Sequence, residues 1–291
     1  MTASEFLHDC AAPAKLNLFL HVVGRRADGY HLLQSVFQLI SLSDTLHFDL
    51  RDDERLVRVT EVEGVPQQSD LIIRAAHSLR DLAAARGIAV RGVDIRIDKQ
   101  IPMGGGLGGG SSDAATTLLA LNQLWALGLS RDELMAIGVG LGADVPFFLL
   151  GQNAFVEGIG EQLTPIDTPD GWFVVIHPGV AVPTPAIFGA AELTRDTKAV
   201  RIADFSASLA SIPGFGKNDL QAVAARAFPA VSDALRWLSR HGEARMTGSG
   251  ACVFCRLDSE PQAKAVLQAI PSGWRGWLAR ALSRHPLELP S

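Results

Sequence analysis

Residues 104–110 read GGGLGGG, so six of seven consecutive positions are glycine. Glycine loses more backbone entropy on ordering than any other residue. In return it reaches positive φ and lets another group come close to the main chain. A purely structural turn does not require six. Ser111, Ser112 and Asp113 follow directly, and the serines stand where a helix begins. The first amides of a helix have no intrahelical acceptors and lie at the positive end of its dipole. Consecutive glycine N–H groups beside such a terminus make a concave anion site suited to a di- or triphosphate.

Several phosphate loops compete for this reading. The pattern G-x-x-x-x-G-K-[ST] fails because no lysine follows the glycines. The dinucleotide fingerprint G-x-G-x-x-G is formally present at Gly104, Gly106 and Gly109. It needs a leading βαβ unit and an acidic residue about 20 positions on, at the end of the next strand. Here that stretch, around Asp132 and Glu133, has a helical pattern. Protein kinases share the glycine spacing, but their downstream His-Arg-Asp and Asp-Phe-Gly motifs are missing.

The surrounding pattern is mixed. Lys15–Val23, Leu32–Ile40, Thr45–Leu50, Leu56–Thr60 and Arg91–Asp98 read as strands. Ser69–Arg86 has helical period, with Ser69 as expected N-cap and Gly87 as stop. Asp113–Leu127 is a second expected helix, and Ser130 with Glu133 forms a capping box that opens a third. Beyond residue 160 the pattern restarts with strands at Phe173–His177, Ala251–Leu257 and Trp274–Ala281. Helices are expected at Pro185–Leu193, Asn218–Ala227, Ser232–His241 and Glu260–Ile270. Glu161–Asp170, with two prolines and three acidic residues, is the candidate boundary. The order favours an α+β fold in two domains, residues 1–160 and 161–291.

Composition narrows the partners. A net charge of −5 without a basic stripe argues against nucleic acid or a membrane surface. No apolar run is long enough to span a bilayer and no leader pattern opens the chain, so a cytoplasmic protein is expected. The pair Cys252 and Cys255 has C-x-x-C spacing, but no second pair or nearby histidine completes a metal site, and the reading is structural.

The loop also fits P-x-G-x-G-L-G-x-x-S-S-x-A-A, supplied by Pro102, Gly104, Gly106, Leu107, Gly108, Ser111, Ser112, Ala114 and Ala115. This resembles the signature of the small-molecule kinases that include galactokinase, homoserine kinase and mevalonate kinase. Two further motifs of that family occur in order, PAKLNLFL at 13–20 and MTGSGACVF at 246–254. GRRADGYH at 24–31, GADVPF at 142–147, Pro183-Thr184-Pro185 and Lys217-Asn218-Asp219-Leu220 are similar to a branch acting on an alcohol linked to cytidine diphosphate. The resemblance spans residues 13–254. Gln221 departs from it, since many relatives carry an acidic residue there.

The resemblance implies a two-domain kinase fold with its active site in the cleft, ATP as co-substrate with Mg²⁺, and a monomer or weak dimer. It implies phosphorylation of a 2-hydroxyl in isoprenoid precursor biosynthesis outside the mevalonate route. It assigns nucleotide binding to Pro102, Met103, Gly104, Gly105, Gly106, Leu107, Gly108, Gly109, Gly110, Ser111 and Ser112, and no residue to a metal.

Residue by residue, the chemistry leaves alternatives. Lys15 on an apolar strand is either a surface lysine or, with Asn17 on the same strand face, part of a polar pair facing a cleft. Asp144 either caps a helix opened by Val145-Pro146 or acts as a catalytic carboxylate. Tyr30, the only tyrosine, is either packing or a platform for a base. By resemblance Lys15 borders the transferring phosphoryl group and Asp144 takes the hydroxyl proton. Asn17 and Thr184 contact substrate, Tyr30 and Phe188 sandwich a cytosine, and His31 reads its edge. Thr247–Gly250 would close the site, while Asn218 and Asp219 read simply as a helix N-cap outside it.

Overall fold

The computed structural model describes residues 4–207 and 214–287. Two strands of 20 residues dominate the first half, β1 (Phe6–Arg25) and β2 (His31–Leu50), paired antiparallel. The sequence suggests shorter pieces because alternation breaks. The break has two causes: register shifts along the pair, and a stretch of β1 buried on both faces, Ala12–Val22. β3 (Leu56–Arg58) and β4 (Val93–Asp98) extend the sheet beside β2.

Helices cover this sheet. α1 (Leu71–Ala85) is capped by Asp70, not Ser69: the Asp70 carboxylate accepts the Ile72 N–H at 2.8 Å and also pairs with Arg58. The Ser69 hydroxyl instead turns back to the Pro66 carbonyl. Gly87 ends the helix at φ 71°, as expected. α2 (Gly109–Leu124) starts four residues before the expected Asp113, with Gly108 as N-cap at φ 73°. Gly109 and Gly110 thus form its first turn, where a Cβ on Gly109 would stand 3.0 Å from Ile101. α3 (Arg131–Leu141) carries the expected capping box, and α4 (Val145–Leu150) follows at once.

β5 (Ala154–Glu157) pairs with β2 and with β6 (Gln162–Pro165). The expected division at 160 and 161 therefore cuts a hairpin belonging to the first half. The second half is a sheet of β7 (Trp172–His177), β8 (Ala244–Met246) and β9 (Val253–Leu257). Around it lie α5 (Thr184–Gly189), α6 (Ile202–Ala207), α7 (Gln221–Ala227), α8 (Pro229–Leu238) and α9 (Glu260–Gln268). β10 (Arg275–Leu282) joins the halves: Arg275–Arg280 pairs with β7, then Ala281 and Leu282 pair with β2. The α+β expectation holds. Separate cores fill the two halves, and a third, around Leu16, Phe19, Phe173 and Phe254, runs between them. No helix among the described residues is long and apolar enough to cross a membrane.

Candidate active site

β1 delivers Lys15 and Asn17 into the cleft. Lys15 is 4% exposed, so its charge needs partners. Its Nζ donates to Asn17 Oδ1 at 2.6 Å, lies 3.6 Å from Asp144 Oδ2, and sits 4.3 Å from the centre of the Phe37 ring. Burial pulls the lysine below its ordinary pKa, and the Asp144 carboxylate opposes that pull without cancelling it. The surface-lysine reading is thereby excluded. Asp144 occupies the N-cap position of α4, yet its side chain makes no capping bond and faces Lys15.

The glycine loop is held from two sides. Lys15 N–H donates to the Leu107 carbonyl at 2.9 Å, while Ala251 and Cys252 N–H donate to the Gly104 and Gly105 carbonyls. Gly106 has φ 74°, and a Cβ there would come within 2.2 Å of the Thr247 carbonyl oxygen. Gly108 is tight too, since its Cβ would meet the Phe148 ring at 2.9 Å and Lys15 Cγ at 3.2 Å. These two glycines serve packing of the loop onto the 246–254 motif and the strand lysine. Gly104, with φ 66° and open space around it, serves backbone conformation alone.

Asn17 is engaged by the protein. Its Oδ1 also accepts the Gly248 N–H at 2.9 Å, its Nδ2 donates to Ser35 Oγ at 2.9 Å, and its backbone N–H donates to Thr247 Oγ1 at 3.1 Å. It lines the cleft while bracing the 247–250 turn beneath Lys15.

Two cavities meet here. One of about 330 Å³ runs along Pro102–Ser111 with Leu71 and Lys99. The other, about 730 Å³, is lined by Lys15, Asn17, Tyr30, His31, Asp144, Thr184 and Phe188. They share Gly106 and Gly108. Of the expected loop residues, Ser112 is the exception: it is wholly buried, lines neither cavity, and its hydroxyl has no partner among the described residues. Because α2 starts at Gly109, Ser112 has turned into the helix interior. Ser111 stays in the groove, with its Oγ 3.8 Å from where a Cβ on Gly142, in the turn leading to Asp144, would stand.

The far end of the larger cavity is looser. Tyr30 is 60% exposed, on a turn closed by Gly29 N–H to the Arg26 carbonyl at 3.0 Å. The His31 and Phe188 rings lie 5.1 Å apart and tilted by 38°. Thr184 Oγ1 and Ser249 Oγ are 2.7 Å apart, tying α5 to the 247–250 turn.

Sequence reasoning missed several supports. Lys99 Nζ bridges Asp44 Oδ2 at 2.5 Å and Asp113 Oδ2 at 2.8 Å, and Asp44 Oδ1 accepts the N–H groups of Gln100 and Ile101. Burial, reinforced by the Asp44 charge, pushes the Asp113 carboxyl up to about 8 against the pull of Lys99. The N-cap reading holds in part for Asn218, whose Oδ1 accepts the Leu220 N–H at 2.9 Å just ahead of α7, while Asp219 makes no such bond to the helix. Asn218 Nδ2 donates to the Met246 and Gly248 carbonyls, and Asp219 Oδ2 accepts the Val22 N–H. Gln221 Oε1 accepts the Met246 N–H at 2.9 Å, a task a carboxylate oxygen performs equally well. Arg195, which no motif flagged, contacts His31. The three cysteines are buried and free; burial raises the thiol pKa values, Cys255 to about 12. The structural reading of the C-x-x-C pair stands.

The family model described as the GHMP kinases N terminal domain matches residues 70–152, and that for the GHMP kinases C terminal matches residues 193–276. Both flank the cleft, and the class is small-molecule phosphotransferase. A 4-diphosphocytidyl-2-C-methyl-D-erythritol kinase of Janthinobacterium sp. (strain Marseille) is 63% identical, over 97% of this chain and 96% of its own. The enzyme of the same name from Herminiimonas arsenicoxydans is also 63% identical, over 97% of each chain. A crystal structure of 4-(cytidine 5'-diphospho)-2C-methyl-D-erythritol kinase superposes with TM-score 0.81 at 35% identity, covering 93% of this chain and 98% of the other. A homoserine kinase structure from Cytophaga hutchinsonii, 17% identical over 98% of this chain and 97% of its own with TM-score 0.67, shares the fold. The chain belongs to the GHMP kinase family, among the 4-diphosphocytidyl-2-C-methyl-D-erythritol kinases.

Proposed function

We infer that the protein transfers the γ-phosphoryl group of ATP to the 2-hydroxyl of 4-diphosphocytidyl-2-C-methyl-D-erythritol, a step of non-mevalonate isoprenoid precursor synthesis. The observation that carries this reading is the Lys15–Asp144 pair standing where the two cavities join. The nucleotide phosphates lie along the glycine loop and the α2 N-terminus, and the alcohol enters from the larger cavity. Asp144 accepts a hydrogen bond from the 2-hydroxyl and aims its oxygen at the γ-phosphorus. As the new O–P bond forms and the bond to ADP breaks, the proton passes to the carboxylate and then to solvent. In a loose transition state this transfer comes late, so an ordinary carboxylate is a sufficient base. The Lys15 ammonium offsets charge on the phosphoryl oxygens inside a site shielded from water.

Mg²⁺ accompanies the nucleotide. Among the described residues no three histidine, cysteine, aspartate or glutamate side chains cluster as a metal site. Ser111 Oγ, in the groove near the turn that leads to Asp144, would be a hard oxygen donor of the kind magnesium takes. That ion supplies charge neutralisation on the phosphates when bound.

At the other end, Tyr30 and Phe188 hold the cytosine and His31 reads its edge, with Thr184 on the Phe188 side. The base is a remote anchor whose binding fixes the hydroxyl beside Asp144. The test is ATP consumption against a panel: the cytidylyl alcohol, methylerythritol phosphate lacking the cytidylyl group, mevalonate and homoserine. Turnover with the first alone is expected. Equal use of the truncated alcohol would remove the cytosine slot from the assignment.

A further inference from the structure

His31 is the first residue of β2 and lines the larger cavity. One ring nitrogen, Nε2, lies 3.0 Å from the Nε of Arg195. A guanidinium has only N–H donors and does not deprotonate in proteins. The nitrogen facing it must therefore offer a lone pair, and the proton of the neutral ring resides on the other nitrogen, Nδ1. Arg195 cannot easily turn away. Its Nη1 donates to the Leu193 carbonyl at 3.0 Å, and its Nη2 to those of Phe188 at 2.9 Å and Ala190 at 2.8 Å. One side chain thus ties the segment after α5 to the start of β2 and fixes the tautomer of the histidine between them.

We propose that Arg195 is a positioning residue that locks His31 as an Nδ1–H donor, so that the slot selects a base presenting an acceptor edge, cytosine over uracil. Cytosine N3 carries a lone pair, whereas uracil N3 carries a proton that would meet the His31 N–H head-on. Leaving two buried donors opposed discriminates more strongly than a missing contact. The charges around the ring act in the same sense. Burial holds the imidazole below its ordinary pKa, and Arg195 and Arg25 add to this, while Asp28 and Asp144 are the carboxylates lining the same cavity. The proposal rests on Tyr30, His31 and Phe188 forming the base slot.

The test combines NMR of ¹⁵N-histidine-labelled protein without substrate with kinetics on the cytidylyl substrate and its uridylyl analogue. Wild-type His31 should show the Nδ1–H tautomer. Arg195→Met should show a mixture with Nε2–H and reduce the cytidylyl-to-uridylyl ratio of kcat/KM about three- to tenfold, the scale of one hydrogen bond. Its KM for ATP should stay unchanged. Arg195→Lys, whose ammonium also only donates, should retain the tautomer. An Nε2–H tautomer in wild-type protein would overturn the proposal, whether or not Arg195→Met folds. So would an unchanged ratio in an Arg195→Met protein whose tautomer has shifted. Equal use of both substrates by an enzyme with Nδ1–H intact would overturn the base-slot reading and the selectivity drawn from it, leaving the tautomer lock standing.

Discussion

The two ends of the cleft are built differently. At the end proposed for the phosphates Lys15 and Asn17 are buried, every polar atom of Asn17's amide is engaged, and the loop is pinned by backbone bonds from β1 and from the turn before β9. At the end proposed for the base Tyr30 is mostly exposed, Thr184 is exposed, and Arg195 ties the start of β2 to the segment around α5. Ordering of the first end is completed during folding, so its dipoles are already aimed when the reaction begins. The second end is more exposed, so its contribution is expected to register as substrate affinity and orientation.

Substitutions should divide along the same line. Asp144→Asn should lower turnover by ~10²–10⁴, the range for losing a positioned proton acceptor. The KM for ATP should barely move, because the loop and α2 still hold the phosphates. Steady-state kinetics on folded protein decides this, and near-normal turnover would remove Asp144 from the chemistry.

Lys99→Met strikes the support of the same end. It leaves the buried Asp44 carboxylate without its cation, beside an Asp113 carboxyl that burial already pushes up to about 8. A loss of about 3 kcal/mol in unfolding free energy is expected, as for breaking a buried pair. Urea melts measure it. A change in ATP affinity without loss of stability would show that Lys99 acts on the nucleotide instead.

At the base end the effects should be smaller and selective. Tyr30→Ala should reduce kcat/KM for the cytidylyl substrate about five- to hundredfold, the scale of one base–aromatic stack. The same variant should lose little with the truncated alcohol and keep its ATP KM. Equal loss on both substrates would mean that Tyr30 shapes the cleft generally, and the contrast between the ends would weaken.

The smallest effect is a displaced pH limb. A lysine whose pKa is lowered keeps its proton only below that value, so activity requiring Lys15⁺ should decline as pH rises through a point below the ordinary 10.5. Removing the Asp144 charge takes away what opposes burial, so the residual activity of Asp144→Asn should decline at still lower pH. Alkaline profiles of kcat for the two proteins give the comparison.

The phosphate end was readable in the sequence where its parts are local. The glycine loop, the strand lysine and the aspartate each lie in a short motif, and the structure brings all three together. What the sequence could not show is which groups hold them. Asp44, Lys99 and Asp113 come from separate elements, Arg195 is 164 residues from His31, and Asn218 meets a turn some 30 residues away. Ser112 was misplaced for a different reason. Glycine's poor helix propensity argues for a late start, yet packing against Ile101 lets Gly109 and Gly110 form the first turn. Asp144 could not be separated from a cap by sequence because capping and catalysis ask for the same residue. Its direction toward Lys15, with no capping bond made, weighs against the cap and supports the proposed role.

The place of β10 has a consequence for synthesis. Its first residues complete the sheet beside β7, and its last two bond to Leu39 and Ile40 in the middle of β2. A ribosome must therefore have translated residue 282 before either sheet is closed. Until then the short gap at Leu39 and Ile40, between the β5 and β4 pairings of β2, stays unfilled, and so does one edge of β7. The seam between the halves is sewn last, and a polypeptide cut short before Arg275 would leave β7 with a bare strand edge, the kind of surface on which nascent chains aggregate.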